Sequence, residues 1–384
     1  CLYCLMSLGV GLALLELLRR LSVRRWIRWA VIMTWVSNPG VLLYEFWLFY
    51  ELPTAFLVAW SLLFFLRFAQ GQDRCLFGFF AVNATLCLLQ SQFHLLWFLL
   101  AAVFVIRVDR VSRKYVLMSA SVPFAIVLIV YLKQVVVFGA FTLAPAHLGP
   151  NLREHTAHTL PRQQLLRLVD DGIVSSTVLP RMFANVSEVE QFVPWEPTGV
   201  AILDRPKRKN GVTNYQHLIY LNEARQVMSD VKILLQQRPD LYFASIVSSF
   251  RRDYFKPWEV TSPTPEIPDS EPALFSSYRR FYSRYVYLQD DLRSDSAALF
   301  MLIPLSFACV LKLLWEYRRD PVVGAFLMLA TFYVLFVSAT NLLVATSDHN
   351  RYRYRIAIVL WIALALGAEH FRRTTRIDIP GKLK

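Results

Sequence analysis

AALFMLIPLSFACVLKLLW, running from Ala297 to Trp315, is an apolar run interrupted only near its end by Lys312. Coiled as a helix at about 1.5 Å per residue, it nearly matches the roughly 30 Å hydrocarbon core of a bilayer. Glu316-Tyr317-Arg318-Arg319-Asp320 follows directly, and a second apolar run covers residues 322–345. Helix, basic turn, helix is the smallest unit of a polytopic membrane protein, and the arginines mark the side on which the turn rests.

The unit recurs on both sides of this stretch. Residues 1–18, 27–43, 52–68, 76–89, 95–106 and 115–137 read as helices one to six, the second broken at Asn38-Pro39-Gly40. Residues 297–315, 322–345 and 356–368 read as helices seven to nine. Helices four and five are short for spans. The chain of 384 residues is 55% hydrophobic and 14% aromatic, which leaves too little polar surface for a soluble protein of that length.

A net charge of +13 is compatible with a nucleic-acid partner until its location is considered. Arg19, Arg20, Arg24, Arg25 and Arg28 form one cluster, Arg67 and Arg74 a second, and Arg107, Arg110, Arg113 and Lys114 a third. Lys312, Arg318 and Arg319 follow, and Arg372, Arg373, Arg376, Lys382 and Lys384 close the chain. Each lies beside an apolar run at alternate turns, whereas the turns around Asn38–Pro53 and Gln90–His94 hold no Lys or Arg. This is the positive-inside pattern, so the charge reports topology and a membrane-lipid partner, with no nucleic acid.

The predicted fold class is therefore an all-α polytopic membrane protein. It has about nine transmembrane helices and one large, mostly helical extracytoplasmic domain between helices six and seven. The predicted divisions are residues 1–137 (helices one to six), 138–294 (the outer domain), 295–370 (helices seven to nine) and 371–384 (a basic cytoplasmic tail). The expected location is the plasma membrane, with the C-terminus cytoplasmic. The five cysteines, Cys1, Cys4, Cys75, Cys87 and Cys309, fall in or beside apolar runs and imply no disulfide framework. The chain opens at Cys1 inside an apolar stretch without a recognisable signal, so further sequence is expected upstream.

Within 138–294, helices are expected over 220–237, 241–254 and 274–288, with an extended proline-rich linker from Trp258 to Pro272. His147, His155 and His158 lack further ligands at metal-binding spacing, so no metal site is read there. The basic stretch from Thr198 to Asn214 reads as a solvated loop. Asn185-Val186-Ser187 is an outer glycosylation sequon, whereas Asn83-Ala84-Thr85 lies inside a helix, out of reach.

Two outer turns carry candidate chemistry. Asn350-Arg351-Tyr352-Arg353-Tyr354-Arg355, between helices eight and nine, breaks the charge rule by placing three arginines outside. In extended geometry Arg351, Arg353 and Arg355 would point one way and the tyrosines the other. Guanidinium forks suit phosphate oxygens, but arginines also anchor helices at headgroup level, and both readings stay open. Glu45 and Glu51 flank Phe46-Trp47-Leu48-Phe49-Tyr50 at another outer boundary, where a carboxylate is exposed, paired or functional. Glu45 is placed to face a cleft and the last-turn arginines.

The outer-turn pattern Asn350-Arg351-Tyr352-Arg353 resembles that of the polyprenyl-phosphate-dependent glycosyltransferases of the GT-C superfamily, bacterial mannosyltransferase-like members included. The early pattern Asn38-Pro39 … Tyr44-Glu45-Phe46-Trp47-Leu48-Phe49-Tyr50, with the third helix ending at Arg67, is similar to bacterial members too. So is Thr198-Gly199 … Leu203-Asp204 … Lys209-Asn210-Gly211 … Asn214, followed by a helix and Pro257. The resemblance implies a polyprenyl-phosphate sugar donor and inverting transfer of the sugar to an acceptor at the outer face. Asn350, Arg351 and Arg353 would hold the lipid phosphate, with Glu45 and Glu51 as cleft carboxylates. Its catalytic carboxylate belongs in a first outer loop, which this numbering places upstream of Cys1, so no catalytic residue is assigned here. Whether that carboxylate acts as a base or holds a divalent metal is left open. A transporter or flippase of a lipid-linked substrate and a non-catalytic membrane scaffold are the alternatives; no internal repeat favours a transporter.

Overall fold

The computed structural model describes residues 2–46, 50–108, 111–257, 273–289, 294–345 and 349–376. The expected linker at 258–272, the aromatics Trp47, Leu48 and Phe49, the turn residues Arg110, Ser347 and Asp348, and the tail beyond Arg376 lie outside the described residues.

The described chain is helical throughout. The first seven helices are α1 (Leu2–Arg20), α2 (Arg25–Val36), α3 (Pro39–Phe46), α4 (Glu51–Ala69), α5 (Cys75–Leu89), α6 (Leu95–Arg107) and α7 (Arg113–Phe138). Then come α8 (Leu148–His155), α9 (Arg162–Asp170), α10 (Val186–Val189), α11 (Ala201–Asp204), α12 (Leu218–Gln237) and α13 (Pro239–Asp253). The last five are α14 (Ala273–Tyr285), α15 (Ala297–Tyr317), α16 (Val323–Val344), α17 (His349–Tyr354) and α18 (Ala357–Arg376). Among the described residues β pairing amounts to one isolated bridge, Lys207 to Thr213.

Five of these helices, α1, α4, α7, α15 and α16, are long and apolar enough to cross a membrane. α5 and α6 are equally apolar but shorter. The outward faces match that reading: Leu2, Leu5, Leu8 and Leu12 of α1 are each more than half exposed, as are Leu117, Met118, Val122 and Ile129 of α7. Contiguous exposed side chains of this size are costly in water and at home in hydrocarbon.

By its internal contacts the chain divides into two compact units. The first comprises residues 1–132, 253–339 and 350–384, and α4 lies at its centre, packed on α1 and α5. Its interior is mostly apolar, and one polar knot lies within it among α4, α5, α6 and α16. Asn83 donates to Ser61 Oγ at 2.8 Å and accepts from Trp97 Nε1 at 2.8 Å. The Tyr333 hydroxyl lies within 2.9 Å of both Ser61 and Asn83. A buried amide inside a helical bundle must find such partners, because there is no water to replace them. The same burial keeps the Asn83 sequon out of reach.

The break predicted in the second helix separates α2 from α3. Asn38 accepts from Gly40 N and donates to Tyr287 OH, both at 2.8 Å, which satisfies the groups that the interruption frees. α15 begins at an N-cap, Ser296, whose hydroxyl accepts from Leu299 N at 3.1 Å.

The second unit comprises residues 133–252 and 340–349. Its centre is α12 against α8. Gly149 is there because a Cβ at that position would lie 2.5 Å from the Ala224 carbonyl oxygen. Arg153 and Glu223 form a buried ion pair at 2.6 Å across the same interface. Asp230 of α12 accepts from Ser175 N and from the Ser175 and Thr177 hydroxyls, fixing the irregular chain beside it.

Candidate functional site

The Asn350–Arg355 turn is helical rather than extended, which corrects the expected alternation. Residues 349–354 form the short helix α17, and Arg355 N and Ile356 N continue its turn at 3.2 and 3.1 Å onto the Tyr352 and Arg353 carbonyls. At about 100° per residue, Arg351 and Arg355 share a face and Arg353 points about 200° away from each. One arginine row thus becomes two separate sites.

Arg351 and Arg355 converge on Glu51. Glu51 Oε1 lies 3.2 Å from Arg351 Nε and 3.1 Å from Arg355 Nη2, and Glu51 is wholly buried. Glu51 opens α4, where a carboxylate suits the positive end of the helix, and Pro53 is tolerated because its missing N–H would be an orphan anyway. Arg355 Nη1 also donates to Gln92 Oε1 at 2.6 Å, and Gln92 in turn donates to the Val337 carbonyl at 3.0 Å. The Tyr352 ring lies 4.4 Å from the Arg355 guanidinium and 5.0 Å from that of Arg351. The arginines therefore meet Glu51 rather than Glu45, which sits half-buried in α3.

Arg353 faces the other way. Its Nη2 donates to the Lys256 carbonyl at 2.8 Å, and its guanidinium lies 5.6 Å from the Tyr254 ring. Asn350 Nδ2 donates to the adjacent Pro257 carbonyl at 2.7 Å. Asn350 and Arg353 thus clamp the chain that leads out of α13. Tyr354, between them and Arg355, packs its buried ring 4.5 Å from Tyr44 and 5.5 Å from Trp35.

Arg353 also lines a groove with about 590 Å³ of atom-free space, the open solvent at its mouth included. One wall is the Ala298–Ser306 face of α15, another the α18 face carrying Ala357, Leu360 and Leu364. Asn38 and Tyr287 add the polar groups of the break after α2. The α15 wall starts where Ser296 N donates to Phe255 O at 3.1 Å, next to the Lys256 carbonyl held by Arg353. The groove therefore runs from Arg353 along about 12 Å of helix. Glu51 thus faces the Arg351 and Arg355 guanidiniums, and Arg353, turned away from it, presents a third at the groove's head.

Two members of this arrangement, Gln92 and Tyr254, escaped sequence reasoning. Arg355 belongs with Arg351 because of helical spacing, a signal present once the turn is read as a helix. Gln92 and Tyr254 carry no local signal, since their roles come from tertiary placement.

The candidate residues of the second unit serve the fold. His158 lies 2.8 Å from Glu154 and 2.9 Å from the Val178 carbonyl, whereas His155 contacts Ser245 Oγ at 3.0 Å. Burial pushes the pKa of His147 and His155 down. In the Thr198–Asn214 loop, Asp204 accepts from Thr198 N, Thr198 Oγ1 and Gly199 N, hydrogen bonds that hold its carboxyl below the usual range. Asn214 ties down the Ile202 and Arg205 carbonyls at 2.7 and 2.9 Å. These residues close the loop on itself, and the cations Lys207, Arg208 and Lys209 project from it into solvent.

Comparison of the chain with protein-family models, with curated proteins and with solved structures finds no match.

Proposed function

We propose that this chain is part of an integral membrane glycosyltransferase that takes a sugar from a polyprenyl-phosphate donor at the outer face of the membrane. The observation that carries the reading is Arg353 at the head of an apolar groove between α15 and α18. A polyprenyl phosphate pairs a long hydrocarbon chain with a phosphate, and the groove pairs an apolar wall with a guanidinium. Arg351 and Arg355 add positive charge on the adjoining face.

In the proposed reaction an acceptor hydroxyl attacks the anomeric carbon while the bond from that carbon to the phosphate oxygen breaks. The hydroxyl proton passes to a general base, the role that the resemblance gives to an outer-loop carboxylate, and the polyprenyl phosphate departs with the bonding electrons. Arg353 stabilises the charge that develops on the departing phosphate. Glu51 is committed to two arginines, so it fits a metal ligand poorly, and no step here runs through a metal. The same proposal includes nine spans, with α2–α3, α5, α6 and α18 completing the five long ones. Residues 138–294 are then extracytoplasmic, the C-terminus cytoplasmic and the membrane the plasma membrane.

The test is sugar transfer by the full-length gene product in lipid nanodiscs, supplied with a labelled polyprenyl-phosphate sugar and an envelope-glycan acceptor extract. Label should pass to the acceptor in wild type and fail to do so in Arg353→Gln that still inserts and folds. Undiminished transfer by that variant would sink the role given to the groove.

A further inference from the structure

The first unit holds a second crevice, at the arginine-rich end of the bundle. It lies between the ends of α1, α15 and α18 and the start of α16, with about 600 Å³ of atom-free space, the open solvent at its mouth included. Leu313, Leu327 and Leu366 form its walls, and Arg20, Arg373 and His370 stand at its rim.

The rim carries more positive charge than its carboxylates offset. Glu16 takes Arg19 at 2.7 Å, Arg20 at 2.6 Å and Arg67 at 3.5 Å. Glu369 takes Arg372 at 2.5 Å and Arg373 at 3.0 Å, and Glu316 lies 2.9 Å from His370. Against these three carboxylates stand those five arginines, of which Arg20 and Arg373 line the crevice with His370 beside them. Arg373 is held in place by a second bond, Nη2 to the Ser22 carbonyl at 3.0 Å, and Arg20 by Nη1 to Gln70 at 2.6 Å. These bonds pre-orient both guanidiniums beside an aliphatic slot formed by α18 with α1, α15 and α16, the last three long and apolar enough to cross a membrane.

We infer that this crevice is a binding site for an anionic glycerophospholipid. The phosphodiester sits against Arg20 and Arg373, and one acyl chain lies along Leu313, Leu327 and Leu366. Charge complementarity selects the headgroup: a phosphoglycerol head brings a net negative charge to a cationic rim, whereas phosphocholine brings its own cation to the same arginines. Lipid held there bridges helices from opposite ends of the chain, α1 and α18, and so stabilises the assembled bundle. The inference stands apart from the transferase reading, because it uses none of the residues of the Arg353 groove.

The test uses the full chain in detergent, with native mass spectrometry and thermal unfolding read out as phosphatidylglycerol or phosphatidylcholine of the same acyl chains is titrated. Wild type should retain phosphatidylglycerol selectively and melt at a higher temperature in its presence. Arg373→Gln and Arg20→Gln, each checked for native helicity and monodispersity, should each weaken that retention about tenfold, the loss of one charge-assisted contact. If one of the two fails to fold, the other reads the same phosphate. Arg25→Gln removes an exposed charge that does not line the crevice and should change nothing. Equal retention of the two lipids, an equal loss in Arg25→Gln, or the same stabilisation from inorganic phosphate alone would each overturn the site as a lipid site.

Discussion

Glu51 and Arg355 are 304 residues apart in sequence and 3.1 Å apart in space. Both are almost wholly buried, and Arg351 shares the same carboxylate oxygen. In an ion pair of this kind both charges were taken out of water, and each depends on the other.

Removing one partner therefore costs more than the pair contributes. Glu51→Ala leaves two guanidiniums facing each other and should lower the unfolding free energy by about 3 kcal/mol. Glu51→Gln keeps an acceptor and should cost less. Chemical denaturation in detergent measures both, and an Ala variant as stable as wild type would mean that water already solvates the cluster.

Arg353 should matter for ligand as well as for the chain that it clamps, whereas Arg355 should matter for packing. Binding of a short-chain polyprenyl phosphate, followed by tryptophan fluorescence or calorimetry, should weaken by about tenfold or more in Arg353→Gln. Replacing Arg351 and Arg353 together with Gln should abolish the cell-envelope glycan while the protein still accumulates in the membrane. Unchanged glycans would favour a scaffold.

His349 gives the second unit a pH dependence. Burial, with His155 and Arg252 nearby, pushes its pKa from 6.5 down to about 4. The unfolded chain then binds the proton more readily than the folded one, so stability rises with pH between about 4 and 6.5 and levels off above. At roughly 1.4 kcal/mol per unit the effect is about 3 kcal/mol at most, and His155, also lowered, acts in the same direction. Stability compared at pH 7.5 and pH 5 should show the loss, and His349→Asn should flatten it. A wild-type profile already flat across that interval would contradict the assignment.

Gly149 offers a purely steric check. The added methyl of Gly149→Ala meets a backbone oxygen that no rotamer change can move, so α8 must retreat from α12. A loss of about 1–3 kcal/mol is expected in the melting of the second unit, and none at all would mean that α8 is free to shift.

The helices were legible because their signals are local. Apolar runs bounded by arginine clusters marked α1, α4, α7, α15 and α16 to within a residue or two, and Asn38-Pro39-Gly40 marked the break between α2 and α3. The site was half legible. Arginine and carboxylate at turns between apolar runs stood out as expensive residues, but Glu45 and Glu51 were equivalent by composition, and only tertiary packing gives Arg351 and Arg355 to Glu51. The alternation of Arg351, Arg353 and Arg355 invited an extended reading because charged and aromatic residues alternate there. The helical turn of α17 overrides it by bonding the Tyr352 and Arg353 carbonyls. The groove had no sequence signal, since its walls come from segments far apart in the chain.

The polar knot around Asn83 sets a schedule for biosynthesis. Ser61, Asn83 and Trp97 emerge from the ribosome early, but Tyr333 follows Asn83 by 250 residues. At roughly 5–20 residues per second, that is an interval of about 12 to 50 s. For that time Ser61, Asn83 and Trp97 must satisfy one another, or lean on the insertion machinery, until the last hydroxyl arrives to complete the knot.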